Sequence, residues 1–147
     1  MAKKIFYSTL IGSAAVLLAV VVIIMGCLYG YYTAMQEKQL RDELRLAACA
    51  VEVSGRSYLE TLTAPDYRYT WTPEYRLTWV NSDGTVLFDS AEPAEVLENH
   101  GDRAEIRDAF SFGEGSSVRY SSTLMEQTFY YARPLNDGTV LRISIVA

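Results

Sequence analysis

The chain has 147 residues, 50% of them hydrophobic, 21% charged and 12% aromatic, with a formal net charge of -5. The charge is segregated: no Asp, Glu, Lys or Arg lies between Lys4 and Glu37, and with Lys3 and Lys4 set aside the other 11 basic residues face 18 acidic ones, a net of -7. Such a balance repels phosphate backbones and excludes nucleic acid as a partner. The length left after the apolar segment is too short for an ATP-using kinase, a Rossmann enzyme or a transporter bundle.

Ile5 to Tyr32 is an uncharged run of 28 residues rich in Val, Leu, Ile and Ala. As a helix it reaches roughly 42 Å, more than a bilayer core of about 30 Å, so it spans with some tilt. Phe6 and Tyr7 at one end and Tyr29, Tyr31 and Tyr32 at the other have the placement of interfacial belts. A cleaved signal peptide would have a shorter apolar core and a small-x-small site. The stretch Ile24, Met25, Gly26, Cys27 resembles a lipoprotein cleavage box, but Met25 is atypical there and the chain stays apolar through Tyr32. Lys3 and Lys4 are balanced by Lys38, Arg41 and Arg45 beyond the far end, so the basic count leaves orientation open. Cys27 and Cys49 lie about 33 Å apart along a helix, beyond disulfide reach.

No Gly or Pro occurs between Thr33 and Gly55, which predicts that the helix continues beyond the membrane over 33–62, with Pro65 ending it. Glu37 with Arg41 and Lys38 with Asp42 are i,i+4 pairs. Two apolar stripes run along this helix. Leu40, Leu44, Ala47 and Val51, continued by Ser54 and Tyr58, have the four-three spacing of a two-helix seam and are assigned to a homodimer contact. Leu46, Ala50 and Val53 form the adjoining stripe. Both stripes covering a sheet is the simpler alternative.

Strands are predicted at Tyr75 to Asn81 and Thr85 to Asp89 around the turn Ser82-Asp83-Gly84. A helix follows over Asp102 to Phe112, with Ala104, Ile106, Ala109 and Phe110 as its apolar face, Asn99 or Asp102 as its cap and Gly113 and Gly115 as its stop. In this reading His100 packs near the strand end at Asp89 and Ser90. Three more strands are predicted at Ser117 to Ser121, Gln127 to Leu135 and Thr139 to Ile145, the last two joined at Asn136-Asp137-Gly138. The fold class is α+β: a long helix, then a five-stranded antiparallel sheet with helices.

The words DGTVLFDS (Asp83 to Ser90), ENHGDRAEIRDAF (Glu98 to Phe110), RYSSTL (Arg119 to Leu124), TFYYARPL (Thr128 to Leu135) and DGTVLRIS (Asp137 to Ser144) resemble the extracytoplasmic PAS-like sensor of bacterial membrane histidine kinases of the phosphate-regulon sensor type. The resemblance implies a cytoplasmic N-terminus over 1–4, a membrane helix over 5–32, a signalling helix over 33–62 and an extracytoplasmic sensor domain over 63–147, in the bacterial plasma membrane. In that family a second membrane helix, a phosphoacceptor helix pair and an ATP-binding domain follow the sensor. None of these is in the sequence, so the chain corresponds to the input end of a receptor and is not itself expected to be an enzyme. A stand-alone membrane-anchored binding or scaffold module is the alternative.

Catalytic and cofactor motifs are sparse. His100, the one histidine, is followed by Gly101, Asp102, Arg103 and Ala104, which is not a phosphoacceptor context. Glu98, His100 and Asp102 make a poor metal set with a single His and no nearby Cys. Gly113-Glu114-Gly115-Ser116-Ser117 follows a helix instead of opening one and has no adjacent lysine, so it is a helix stop and not a phosphate loop. There is no Gly-x-Ser-x-Gly elbow, and neither a cofactor nor a metal is expected. The candidate ligand residues are Arg119, Tyr130 and Arg133, with Tyr120 and Tyr131 beside them on the same strands. The guanidiniums suit a small anionic ligand, and packing alone is the competing account of the tyrosines. A protein stimulus or the lipid bilayer is the other expected partner.

Overall fold

The computed structural model describes residues 2–63, 75–121 and 126–146. Pro65, expected to end the signalling helix, and residues 122–124 of the RYSSTL word lie outside them. The chain divides into two compact units, 1–38 and 39–147.

The first unit is helical, within α1 (Ala2–Ser54). Every side chain from Lys3 to Tyr32 is exposed, and the helix contains an 18-residue window of mean hydropathy 2.8. It is long and apolar enough to cross a membrane. Three of its hydroxyls are turned back on the helix: Thr9 donates to the Ile5 and Phe6 carbonyls, Ser13 to Leu10, and Thr33 to Tyr29 and Gly30, at 2.9–3.1 Å. These hydroxyls thus need no acceptor outside the helix.

The second unit holds the rest of α1, then α2 (Arg56–Thr63), β1 (Tyr75–Val80), β2 (Val86–Asp89), a 3-10 turn (Ala94–Val96), α3 (Ala104–Phe112), β3 (Gly115–Ser121), β4 (Glu126–Pro134) and β5 (Val140–Val146). The strands form one antiparallel sheet in the order β2-β1-β5-β4-β3. The α+β class and the five strands are therefore as the sequence predicts. The helix expected over 33–62 breaks once, at Gly55, which has φ 59° and donates its N–H to the Val51 carbonyl at 2.7 Å. Gly tolerates this left-handed backbone without a Cβ clash, and the turn brings Leu59 of α2 back into the core.

Period-two alternation gives the sheet two distinct faces. On one, Leu77, Leu141, Ile143 and Tyr131 pack with Leu40, Leu44, Ala47, Ala48 and Val51 of α1 and Leu59 of α2. This corrects the seam: Leu40, Leu44, Ala47 and Val51 are buried in their own domain's core and have no surface left to offer a second copy. The adjoining stripe is the outward one, with Leu46 68% and Val53 87% exposed. Periodicity defines both stripes, but a buried sheet face selects the one with more contiguous apolar area.

On the other face, Ile106 and Ala109 of α3 cover Val80, Ala132 and Val140. Here the predicted apolar face of α3 is only half right. Ala104 and Phe110 are exposed, and Glu105 is fully buried. The cap also differs, because Arg103 is the N-cap and makes no side-chain cap bond. Asn99 instead ties its own loop to the β1–β2 turn, accepting the Gly101 N–H at 2.8 Å and donating to the Asp83 carbonyl at 2.9 Å. That turn needs Gly84, whose φ is 86° and where a Cβ would collide with the Asn99 side chain. The same clamp fixes the His100 backbone at the turn, where its main-chain N–H donates to the Gly84 carbonyl at 2.8 Å.

Candidate functional site

Beyond the apolar patch under α3, the same sheet face turns polar. The register places Arg142 of β5 beside Thr78 of β1 and Ala132 of β4, and one row further on aligns Arg76, Ser144, Tyr130 and Ser117 across β1, β5, β4 and β3. Arg119 shares this face with Ser117, two residues along β3. The first turn of α3 delivers Glu105 onto the group, because Gly115 lets α3 and β3 meet. A Cβ on Gly115 would overlap the Glu105 carbonyl oxygen.

The contacts form one connected network. Arg119 Nη2 donates to Glu105 Oε2 at 2.5 Å, Ser117 Oγ to the same oxygen at 2.7 Å, and Arg142 Nη1 to Oε1 at 3.2 Å. Arg142 Nη2 continues to Thr78 Oγ1 at 3.0 Å, and that hydroxyl donates to Asp89 Oδ2 at 2.8 Å. Arg76 Nε reaches both oxygens of Asp89, at 2.9 and 3.0 Å, and Asp89 Oδ1 also accepts the N–H groups of Ala91 and Glu92. The Tyr130 ring lies 4.1 Å from the Arg119 guanidinium and 5.2 Å from that of Arg142, both within cation–π range.

Burial alone would raise the Glu105 pKa, but the Ser117 hydroxyl, the backbone N–H and Arg119 outweigh it and hold the carboxyl below its ordinary value. Burial pulls Arg142 below its ordinary value, opposed by Glu105. His100 is buried and lowered, first by desolvation and then by the charge of Arg142. Its Nδ1 lies 2.8 Å from the Glu98 carbonyl, so that nitrogen carries the proton of the neutral ring.

The expected ligand residues are thus divided. Arg119 and Tyr130 stand together in this network. Arg133 shares the opposite face with Tyr131 and is exposed, so it joins no site with them. Tyr131 belongs to the core; its hydroxyl donates to Glu114, the Arg41 guanidinium lies 5.2 Å from its ring, and burial and Glu114 push its pKa up to about 12. Tyr120 is exposed on β3. Arg142, Glu105 and Ser117 were not singled out from the sequence. The alternation Leu141, Ile143, Ile145 was the available signal, because it forces Arg142 and Ser144 to the other face of a central strand. Among the described residues, no three His, Cys, Asp or Glu side chains group as a metal site.

No protein-family model matches the chain, and no curated protein matches it. Among the solved structures similar in part are the following two. One is the extracellular domain of rpHK1S-Z16, assigned as a histidine kinase, with 12% identity, TM-score 0.42, and 56% of this chain and 35% of that one covered. The other is the Bacillus subtilis YkuI protein with an EAL domain, solved with c-di-GMP and calcium, with 11% identity, TM-score 0.47, and 78% and 34% covered. The chain spans about a third of the length of each. At TM-scores below 0.5 these likenesses carry none of the functional reading.

Proposed function

We propose that the chain is the signal-input portion of a bacterial membrane sensor histidine kinase, anchored by 5–32 with its N-terminus in the cytoplasm and its PAS-like domain outside. The observation that carries this is one chain containing an exposed apolar helix of membrane-spanning length and a folded domain with a polar arginine–carboxylate network on its sheet. The words of the resemblance support it by where they fall: DGTVLFDS forms a turn and β2, and DGTVLRIS a turn and β5. In this reading the chain is not catalytic; it passes on a conformational change by favouring one of two domain states. Two copies meet through Leu46, Ala50 and Val53, the outward stripe of α1.

Cys49 is a free, exposed thiol and so a native topology probe. A membrane-impermeant maleimide should label it in intact bacteria, whereas a cysteine placed at Lys3 should label only after permeabilisation. Labelling of Cys49 that requires permeabilisation would overturn the orientation and the sensor reading together. In a background without native cysteines, single cysteines at 46, 50 and 53 should crosslink on oxidation and those at 40, 44, 47 and 51 should not. A flat profile would remove the dimer.

A further inference from the structure

Two guanidiniums share the single Glu105 carboxylate, one on each oxygen, while Arg76 is matched to Asp89. Over these five described groups the formal charge is one positive in excess. The Nε of Arg142 is buried and has no acceptor among the described residues, although buried donors on charged groups are rarely left unpaired. Arg119, by contrast, keeps 35% of its side chain open and Arg76 36%, so the cluster meets solvent at these two guanidiniums, and Arg119 is the one that shares Glu105 with Arg142. The Tyr130 ring supplies an apolar wall beside both cations.

We infer that Arg119, Arg142 and Tyr130 form a binding site for a small monocarboxylate. The inference deepens the sensor reading and rests on it for its role in signalling, though not for binding itself. Glu105 identifies the class by example: its own carboxylate is already held by this pair of guanidiniums and by Ser117. An entering carboxylate meets the solvent-facing donors of Arg119 first, and its single charge cancels the surplus; the buried Nε of Arg142 is reached only where Glu105 gives up its place. Glu105 then acts as a resident rival for the same donors. Its charge keeps affinity low, so that occupancy tracks the ligand over a high concentration range.

The test uses the full chain in detergent, with sodium acetate titrated against sodium chloride and sodium phosphate at matched ionic strength while the unfolding midpoint is followed. Acetate should give a saturable rise that neither other anion reproduces. Glu105→Gln should lower the half-saturating acetate concentration, and Arg119→Gln should raise it, each by about tenfold or more, the effect of one charged hydrogen bond. Half-saturation unmoved by both substitutions, or the same curve with chloride or phosphate, would overturn the site. Because Glu105→Gln leaves buried cations less well matched, the unmutated protein supplies a second reading. The Arg142 Nε–H resonance should shift with acetate over the same concentration range, and no shift overturns the site. Failure here leaves Cys49 labelling untouched, so it is separable from failure of the sensor reading.

Discussion

On the face beneath α1, β5 presents Leu141 and Ile143 to Leu44, Ala47 and Leu59. On the opposite face the same strand presents Arg142 to Glu105 and Thr78. The first face is held mainly by area removed from water, and its aliphatic side chains carry no titratable group. The second is held by ion pairs to Glu105 and Asp89 in a place where stripping a buried charge of its partner is severely penalised. A fold that needed only stability would have no reason to bury Arg142 with Glu105 on a central sheet strand, since well-packed apolar groups do as well or better there. The polar face is where function is to be sought.

The contrast can be broken most sharply at Glu105. Glu105→Ala leaves Arg142 buried without its carboxylate and should destabilise the domain by about 3–5 kcal/mol, the range for stripping one partner from a buried pair. Chemical denaturation measures it, and a loss below about 1 kcal/mol would reduce the network to a surface salt bridge. On the apolar face, Leu44→Ala should cost about 2–5 kcal/mol, with the difference that its loss stays constant across pH. Thr78→Val keeps the shape but cuts the link between Arg142 and Asp89, and should cost about 1–3 kcal/mol for the groups left unsatisfied.

The smallest effect is a pH dependence in the acid range, carried by His100 and Glu105. The folded value of His100 lies below its ordinary 6.5, so the unfolded chain takes up the proton first. Stability should be full above about pH 6.5 and fall as the pH drops through the interval down to the folded value. His100→Gln should flatten that limb, and persistence of the slope in this variant would assign it elsewhere. Glu105 acts in a lower window: its folded value is below 4.5, so its contribution is present above that pH and disappears as the pH falls through the folded value.

The two faces also differ in how far they could be read from the sequence. Strands and turns were legible because Asp83-Gly84 and Asp137-Gly138 are local signals: each Asp accepts the N–H of a Thr two residues on, at 2.9 Å. The choice between the two stripes of α1 was not, since periodicity fixes which residues share a side but not which side meets the sheet. Glu105 was hidden for a stronger reason. A carboxylate in the first turn of a helix reads as a solvated charge favoured by the dipole, and the partners that bury it lie 14 and 37 residues away in the chain. Arg119 and Tyr130 share one sheet face, as strand position and residue chemistry together suggested, whereas Arg133 falls on the other, being an odd number of residues from Tyr130.

The placement of Arg142 on β5 has a mechanical meaning. β5 is the middle strand of five, and Arg142 stands between Leu141 and Ile143, whose side chains leave the backbone in the opposite direction. A pull on the guanidinium is therefore borne by the two peptide units that also carry the α1 contacts. A tilt of that short stretch moves both faces at once in opposite senses, as a rocker does about its pivot. The distance such a movement must travel from the cation cluster to the core beneath α1 is the thickness of a single strand.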